Sequence, residues 1–297
     1  MKSKVAICND MSVKSGISKV MGMIDSVRDF IEGKHVAIHP NDTWATPGDT
    51  TAVTRADAVE AVIHCVKQND PKKITVTGGS GDGDTAEIFK LMGIDQVIKK
   101  EGVEFVDHNK PPFVEVGLDY GPQKSIMVNK NVLDYQCVIS LAQHKVHKTA
   151  TVTLTMKNIA MSFPAADYYG HPRETGLHPQ HFFDDMHGFI VGMCKRFPIT
   201  IGIIVGHPAM IGSGPIGGKT FESGLTIGST DFVACDAIGA RMLGFDRVEH
   251  VERAMEEGLG QCDLKNIQIA GVPLKEAEAL FEERSGITLH GYVGAKR

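Results

Sequence analysis

The sequence predicts an α/β fold, with mixed, mostly parallel sheets and flanking helices in Rossmann-like lobes. Three observations carry this prediction. Short apolar runs rich in β-branched residues alternate with segments of helical period through the first 110 residues. That strand, helix, strand succession needs crossover connections, which put helices on the faces of a parallel sheet. The 297 residues suffice for about two compact lobes.

Val36-Ala37-Ile38 reads as a strand, because three apolar residues two of which are β-branched suit a buried pleat. Arg55 to Gln68 reads as a helix, with Ala58, Val59, Val62, Ile63 and Val66 on one face, and Ile74 to Thr77 as the next strand. Thr85 to Met92 follows as helix and Val103 to Val106 as strand. The run His108-Asn109-Lys110-Pro111-Pro112 breaks the pattern and divides the single unit 1–297 into lobes 1–110 and 111–297. Beyond it, Ser125 to Val128 and Cys137 to Leu141 read as strands, and Thr153 to Met161 and Phe182 to Lys195 as helices. Ile199 to Val205 reads as a buried strand, Phe232 to Leu243 and Val248 to Glu257 as helices, and Ile267 to Ala270 as a last strand. Residues Phe163 to His181 mix proline, glycine, tyrosine and histidine without a period, as a binding loop does.

Composition narrows the function classes. Lys plus Arg is 31 against 36 for Asp plus Glu, a net charge of −5, and no basic run is interleaved with aromatics. Nucleic acid is therefore not an expected partner. The richest apolar stretch, Ile199 to Val205, is far short of the ~20 residues that span a bilayer, so no membrane partner is expected either. Val5 to Cys8 is too short for the core of a signal peptide, which predicts a cytoplasmic protein. The six cysteines are scattered, the closest pair 27 residues apart, so no iron–sulfur cluster is expected and the thiols read as small buried hydrophobes. A small-molecule substrate is the expected partner, and homo-oligomerisation stays open.

Gly78-Gly79-Ser80-Gly81-Asp82-Gly83-Asp84 follows a strand and opens a helix, where open α/β sheets bind ligands. Gly78, Gly79 and Ser80 are cofactor-binding candidates, balanced by the reading of a tight turn in which Asp84 caps the helix. Gly212 to Thr220 contains GxGxxG, but extended chain follows it, and Ser213 stands where a P-loop needs glycine. It reads as a glycine-rich turn. His144-Lys145-Val146-His147-Lys148-Thr149 comes after a strand, and Lys157-Asn158 interrupts an otherwise apolar helix. His144, His147 and Lys157 are the catalytic candidates, against the alternative of a solvated basic turn. His171, His178, His181 and His187, with Asp184 and Asp185, could supply ligands to a divalent metal, with His171, His178 and His181 the candidate set.

Several segments together resemble the family catalogued as Domain of Unknown Function 362. They are His39-Pro40-Asn41 with the Thr46 to Thr51 loop, Gln143 to Asn158, Gly212-Ser213-Gly214-Pro215 with Gly217, Asp231 to Asp236, and Gly258-Leu259-Gly260. Gly206-His207 replaces the family's usual Asp-Gly, and its ferredoxin insert is absent. A second, weaker resemblance, through Asn41 to Pro47, Thr77 to Ser80, Asp107, His147 and Lys157, is to the amino-terminal half of lactate racemases that use a nickel-pincer nucleotide. It implies that Lys157 anchors the cofactor, that His147 exchanges substrate hydrogen or a proton, and that His171 is the nearest candidate nickel ligand. It also implies cofactor contacts from Asn41, Asp42, Thr43, Thr46 and Asn158. Trp44 replaces the substrate-binding arginine, and the second catalytic histidine falls near Ser80-Gly81.

The reading is an enzyme of unestablished reaction on a small polar or anionic substrate, an isomerase or oxidoreductase at a hydroxy or oxo acid. The rivals are a non-catalytic carrier of a metal or nucleotide cofactor and a divalent-metal hydrolase built on His178 to His187.

Overall fold

A computed structural model describes residues 2–171 and 184–289. The strands are β1 (Ser3–Asn9), β2 (His35–Pro40), β3 (Lys73–Gly78), β4 (Glu104–Asp107), β5 (Phe113–Gly117), β6 (Ser125–Asn129), β7 (Cys137–His147), β8 (Thr151–Thr153), β9 (Ile201–Ile211), β10 (Lys219–Phe221), β11 (Leu225–Ser229) and β12 (Ile267–Gly271). The helices are α1 (Val13–Met23), α2 (Val27–Ile31), α3 (Ala56–Lys67), α4 (Thr85–Met92), α5 (Ile94–Glu101), α6 (Thr155–Ser162), α7 (Ala166–Tyr169), α8 (Met186–Arg196), α9 (Phe232–Met242), α10 (Glu249–Glu256) and α11 (Leu274–Ser285).

Ten strands form one mixed, mostly parallel sheet in the order β12-β1-β11-β9-β7-β2-β3-β4, with β10 on β9 and β8 on β7; β5 and β6 pair separately. Parallel ladders join β9, β7, β2, β3 and β4, and only β11 runs antiparallel to its neighbours along that order. Alternate residues of each strand face opposite layers. Ile38, Val76 and Ile139 pack in one core with α1 and α3, while Val138 and Ile204 pack in the other with α6, α8 and α9. Strands from both sides of residue 110 share this sheet. No helix of the described residues is long and apolar enough to cross a membrane.

The structure departs from the sequence reading at β1, α1, α11 and β7, and agrees with it at the glycine-rich turn. Val5 to Cys8, read as a truncated signal core, lies in β1, and α1 and α11 were not foreseen at all. The glycine-rich stretch 212–218 is the turn between antiparallel β9 and β10. A Cβ on Gly214 would stand 2.0 Å from the Val146 carbonyl oxygen, so close backbone approach accounts for that glycine. The departure that matters most is β7, which does not stop at Leu141 but runs on through His147 and turns back into β8. No glycine, proline, asparagine or aspartate lies between Leu141 and Lys148 to end it. His144, Lys145 and His147 therefore stand on a strand rather than in a solvated turn.

Candidate active site at the carboxyl end of β7

The register of β7 shifts between Gln143 and Lys145, and the polar residues fan out to different partners there. His144 is fully buried, its Nε2 lies 2.8 Å from the Gly239 carbonyl oxygen, and its ring packs on Phe281. It faces α9 and α11 as a packed core histidine, and burial pushes its pKa down to about 4. Lys145, which the sequence reading passed over, is fully buried with its Nζ donating to the Ala52 carbonyl at 2.8 Å. Burial, and then the charge of Lys157, push its ammonium well below the ordinary lysine range, while Asp42 acts the other way.

His147 ends the strand. Its Nδ1 accepts the backbone N–H groups of Thr149 and Ala150, each at 3.1 Å, so a neutral ring carries its proton on Nε2. Thr151, which closes this turn, has φ 68°, a strained value for a β-branched residue. Burial, then Lys157, Lys145 and His250, hold the imidazole neutral. Taking up a second proton would put an N–H against two N–H donors. With Nδ1 taken by these two backbone N–H groups, the neutral ring of His147 can donate a hydrogen bond through Nε2.

The turn of β7 into β8 leads into α6, which brings Lys157 back beside His147. Leu154 gives α6 no side-chain cap, and Asp236 of α9 supplies one from outside. Its Oδ1 accepts from Thr155 N at 2.8 Å and Thr155 Oγ1 at 2.6 Å, and its Oδ2 from Met156 N at 2.9 Å. Lys157, the next residue, is 7% exposed, and its charge reaches Lys145, His147 and His250. His250 was also missed by the sequence reading, although its place beside Val251 and Ala254 on the buried face of α10 offered a signal.

The candidate cofactor-binding residues meet one another. Asn158 Oδ1 accepts from Asn41 Nδ2 at 3.1 Å, and its Nδ2 donates to the His39 carbonyl and Ser140 Oγ. Asn41 Nδ2 also reaches Thr43 Oγ1 at 3.2 Å, and Ser80 Oγ donates to the Thr43 carbonyl at 2.9 Å. The Gly79 N–H that could have held a phosphate donates to Asp42 Oδ2 at 2.7 Å. A Cβ on Gly79 would stand 2.0 Å from the Ser162 carbonyl, and one on Gly78 would strike Thr85. Thr46 closes its own turn with Asp49, and Asp84 caps α4. The Gly78 to Asp84 segment is therefore a close-packed turn tying the end of β3 to α6.

Of the metal candidates His171, His178 and His181, the described residues include His171 alone. His171 Nε2 lies 3.2 Å from Asp167 Oδ1 on an exposed turn; His178 and His181 lie outside the described residues. Among the described residues the cluster with ligand atoms within 4.8 Å of one another is Glu60, His64 and Glu101. It belongs to α3 and α5, in the other layer, and lysines 14, 100 and 67 hold its carboxylates. The lactate-racemase resemblance takes its nickel ligand from a later histidine, for which His171 is the nearest candidate, and His171 stands on the exposed turn beside Asp167. The cysteines are free thiols, five of them buried.

Comparison with known proteins agrees with this architecture. The chain is 23% identical over 269 residues to the Thylakoid-associated protein sll1697 of Synechocystis sp., covering 88% of this chain and 80% of that one. The lactate racemase apoprotein of Thermoanaerobacterium thermosaccharolyticum has a similar fold, with a TM-score of 0.51 at 12% identity. The match covers 81% of this chain but only 56% of the racemase, so this chain spans little more than half of it. A Thermotoga maritima protein follows at a TM-score of 0.40 and 14% identity, covering 82% of this chain and 57% of its own. The model of the domain of unknown function DUF362 matches residues 36–241, and the chain belongs to that family.

Proposed function

We propose that the chain is an enzyme that binds a small anionic substrate, a hydroxy or oxo acid, at the carboxyl end of β7 and isomerises it there, or oxidises it with a separate electron acceptor that takes the two electrons. The observation that carries this reading is Lys145, a lysine with no exposed surface whose ammonium has one backbone carbonyl as its hydrogen-bond acceptor. A lysine amine has up to three donors, and burying them beside a second lysine is unfavourable unless an anion completes the set. Such a site costs folding free energy, and an entering carboxylate offsets part of that cost. His147 Nε2–H supplies a neutral donor for a substrate oxygen in the same place. The fold shared with a lactate racemase supports a hydroxy acid over a phosphate as the class.

Thermal shift and isothermal titration with L-lactate, glycolate, pyruvate and inorganic phosphate test the reading. A carboxylate at a hundredfold excess over its Kd should add about 2.7 kcal/mol of stability. Lys145→Met and Lys157→Met should each weaken that binding at least about tenfold, the loss of one charge-assisted contact. Saturable binding of none of these acids, or binding untouched by both substitutions, would show that the two lysines serve packing alone.

A further inference from the structure

Behind the lysines, α10 and α8 place two histidine rings together. His250 is fully buried, and its Nδ1 lies 3.0 Å from His187 Nδ1, with ring centroids 5.3 Å apart and an interplanar angle of 20°. An Nδ1 to Nδ1 bond needs one ring to donate and the other to accept, so the tautomers of the pair are locked together. His187 reaches the surface, its Nε2 3.8 Å from Glu249 Oε2 with a side chain 16% exposed. Arg253 steadies the surround, bonded to Glu249 and to both oxygens of Asp185.

The Glu249 carboxylate favours the tautomer of His187 with its proton on Nε2, which leaves His187 Nδ1 as the acceptor. His250 then donates from Nδ1, and its Nε2 keeps a bare lone pair. That nitrogen is buried and has no hydrogen-bond partner within the described residues. Lys157 and His147 are the charged and titratable groups that face it from α6 and β7. Those facing His187 are Glu249 and Arg253 from α10 and Asp185 from the start of α8.

We propose that Glu249, His187 and His250 form a proton relay in which His250 Nε2 takes a proton from a ligand at the Lys145 and Lys157 site. The balance is simple. A proton bound to the ligand moves to His250 Nε2, the proton on His250 Nδ1 moves to His187 Nδ1, and His187 becomes an imidazolium beside Glu249. Its Nε2 proton then leaves to solvent, and the bonding pair that held the first proton stays on the ligand. The relay rests on the anion-site reading for its proton donor, and it supplies the base that the Nε2–H tautomer of His147 cannot provide. Burial and the charge of Lys157 oppose a lasting charge on His250, so the proton is passed on rather than stored. His187 and Glu249 are positioning residues.

Histidine-selective 15N labelling of the full chain, read by long-range proton–nitrogen correlation without ligand, tests the tautomers directly. Near neutral pH, His250 should be protonated on Nδ1 and bare on Nε2, and His187 protonated on Nε2. His187→Phe should abolish the fixed tautomer of His250, while His187→Gln, whose amide oxygen can accept the same proton, should keep it. Glu249→Ala should lower the pH at which the pair takes its extra proton, and neither Gln nor Ala variant should weaken lactate or pyruvate binding, which Lys145→Met weakens at least about tenfold. Failure of every acid to bind would sink the anion reading and leave the tautomers to judge the relay. A proton on His250 Nε2 in the unaltered protein, or a His250 tautomer unmoved by His187→Phe, would overturn the relay.

Discussion

Asp236 offers the most quantitative test of how the fold holds the site. It is fully buried, and burial pushes its carboxyl up to about 7, even though two N–H groups at the start of α6 and the Thr155 hydroxyl donate to it. A carboxyl whose folded pKa lies above its unfolded value near 3.9 binds its proton more tightly in the native state. Its stabilising contribution is therefore fully present below pH ~4 and is lost as the pH rises through 7. Linkage with these two values makes the protein about 2 to 3 kcal/mol less stable at pH 8 than at pH 5 through this group alone. Other groups titrate over the same range, so the informative quantity is the difference between the protein and its Asp236→Asn variant, measured by urea denaturation at both pH values. The stability of the unaltered protein relative to the variant should fall by about 2 to 3 kcal/mol between pH 5 and pH 8. A difference independent of pH would refute the reasoning, because it would mean that the three donors and the helix terminus keep Asp236 an ordinary ionised carboxylate.

Gly79→Ala should destabilise the protein by at least about 2 kcal/mol, because its Cβ would stand 2.0 Å from the backbone oxygen of Ser162 and helix α6 would have to move. Equilibrium unfolding checks this, and a loss below about 0.5 kcal/mol would mean that the turn has room. Lys145→Met should raise stability, since it replaces a buried amine by a thioether of similar length. The depressed pKa of Lys145 sets the pH dependence: the unfolded chain binds a proton that the native state resists, so the gain should be largest at low pH and shrink toward the ordinary lysine range. Melting temperatures of the two proteins from pH 6 to pH 10 would show a constant or reversed difference if the lysine were charged in the native state.

Strands and helices with one strong period were legible from sequence. The segment Thr85 to Met92 matches α4 residue for residue, and Ile74 to Thr77 lies within β3. Elements whose role depends on distant chain were not. β1 pairs with β11 and β12 from the far end of the sequence, so nothing local marks it as an interior strand. The same limit governs the site. Lys157 stood out because a lysine inside an apolar helix conflicts with its neighbours. Lys145 did not, because a cation among histidines looks like solvated chain until β7 is seen to continue through it. Asp236 was visible within the segment Asp231 to Asp236, yet its task is set by the missing cap on a helix some 80 residues earlier.

These residues separate two requirements that a sequence pattern merges. His147 and Lys157 come together because the turn of β7 into β8 reverses the chain between them, and that geometry would persist if neither took part in chemistry. The proposed site rests on electrostatics: Lys145 is buried with one carbonyl as acceptor, and His250 Nε2, like His144 Nδ1, is a buried nitrogen without a partner among the described residues. Met and Phe would fill the same volumes without the desolvation cost, and the proposed anion site and relay account for the polar groups found there instead. The web of Asn41, Thr43, Ser80, Gly79 and Asn158, in contrast, is held mostly by its own hydrogen bonds, with Asn41 Oδ1 left without a partner among the described residues. The two sets of residues should therefore respond differently to substitution. Changes in the web should cost stability in proportion to the bonds lost, and changes at Lys145 and His250 should cost function while leaving stability equal or greater.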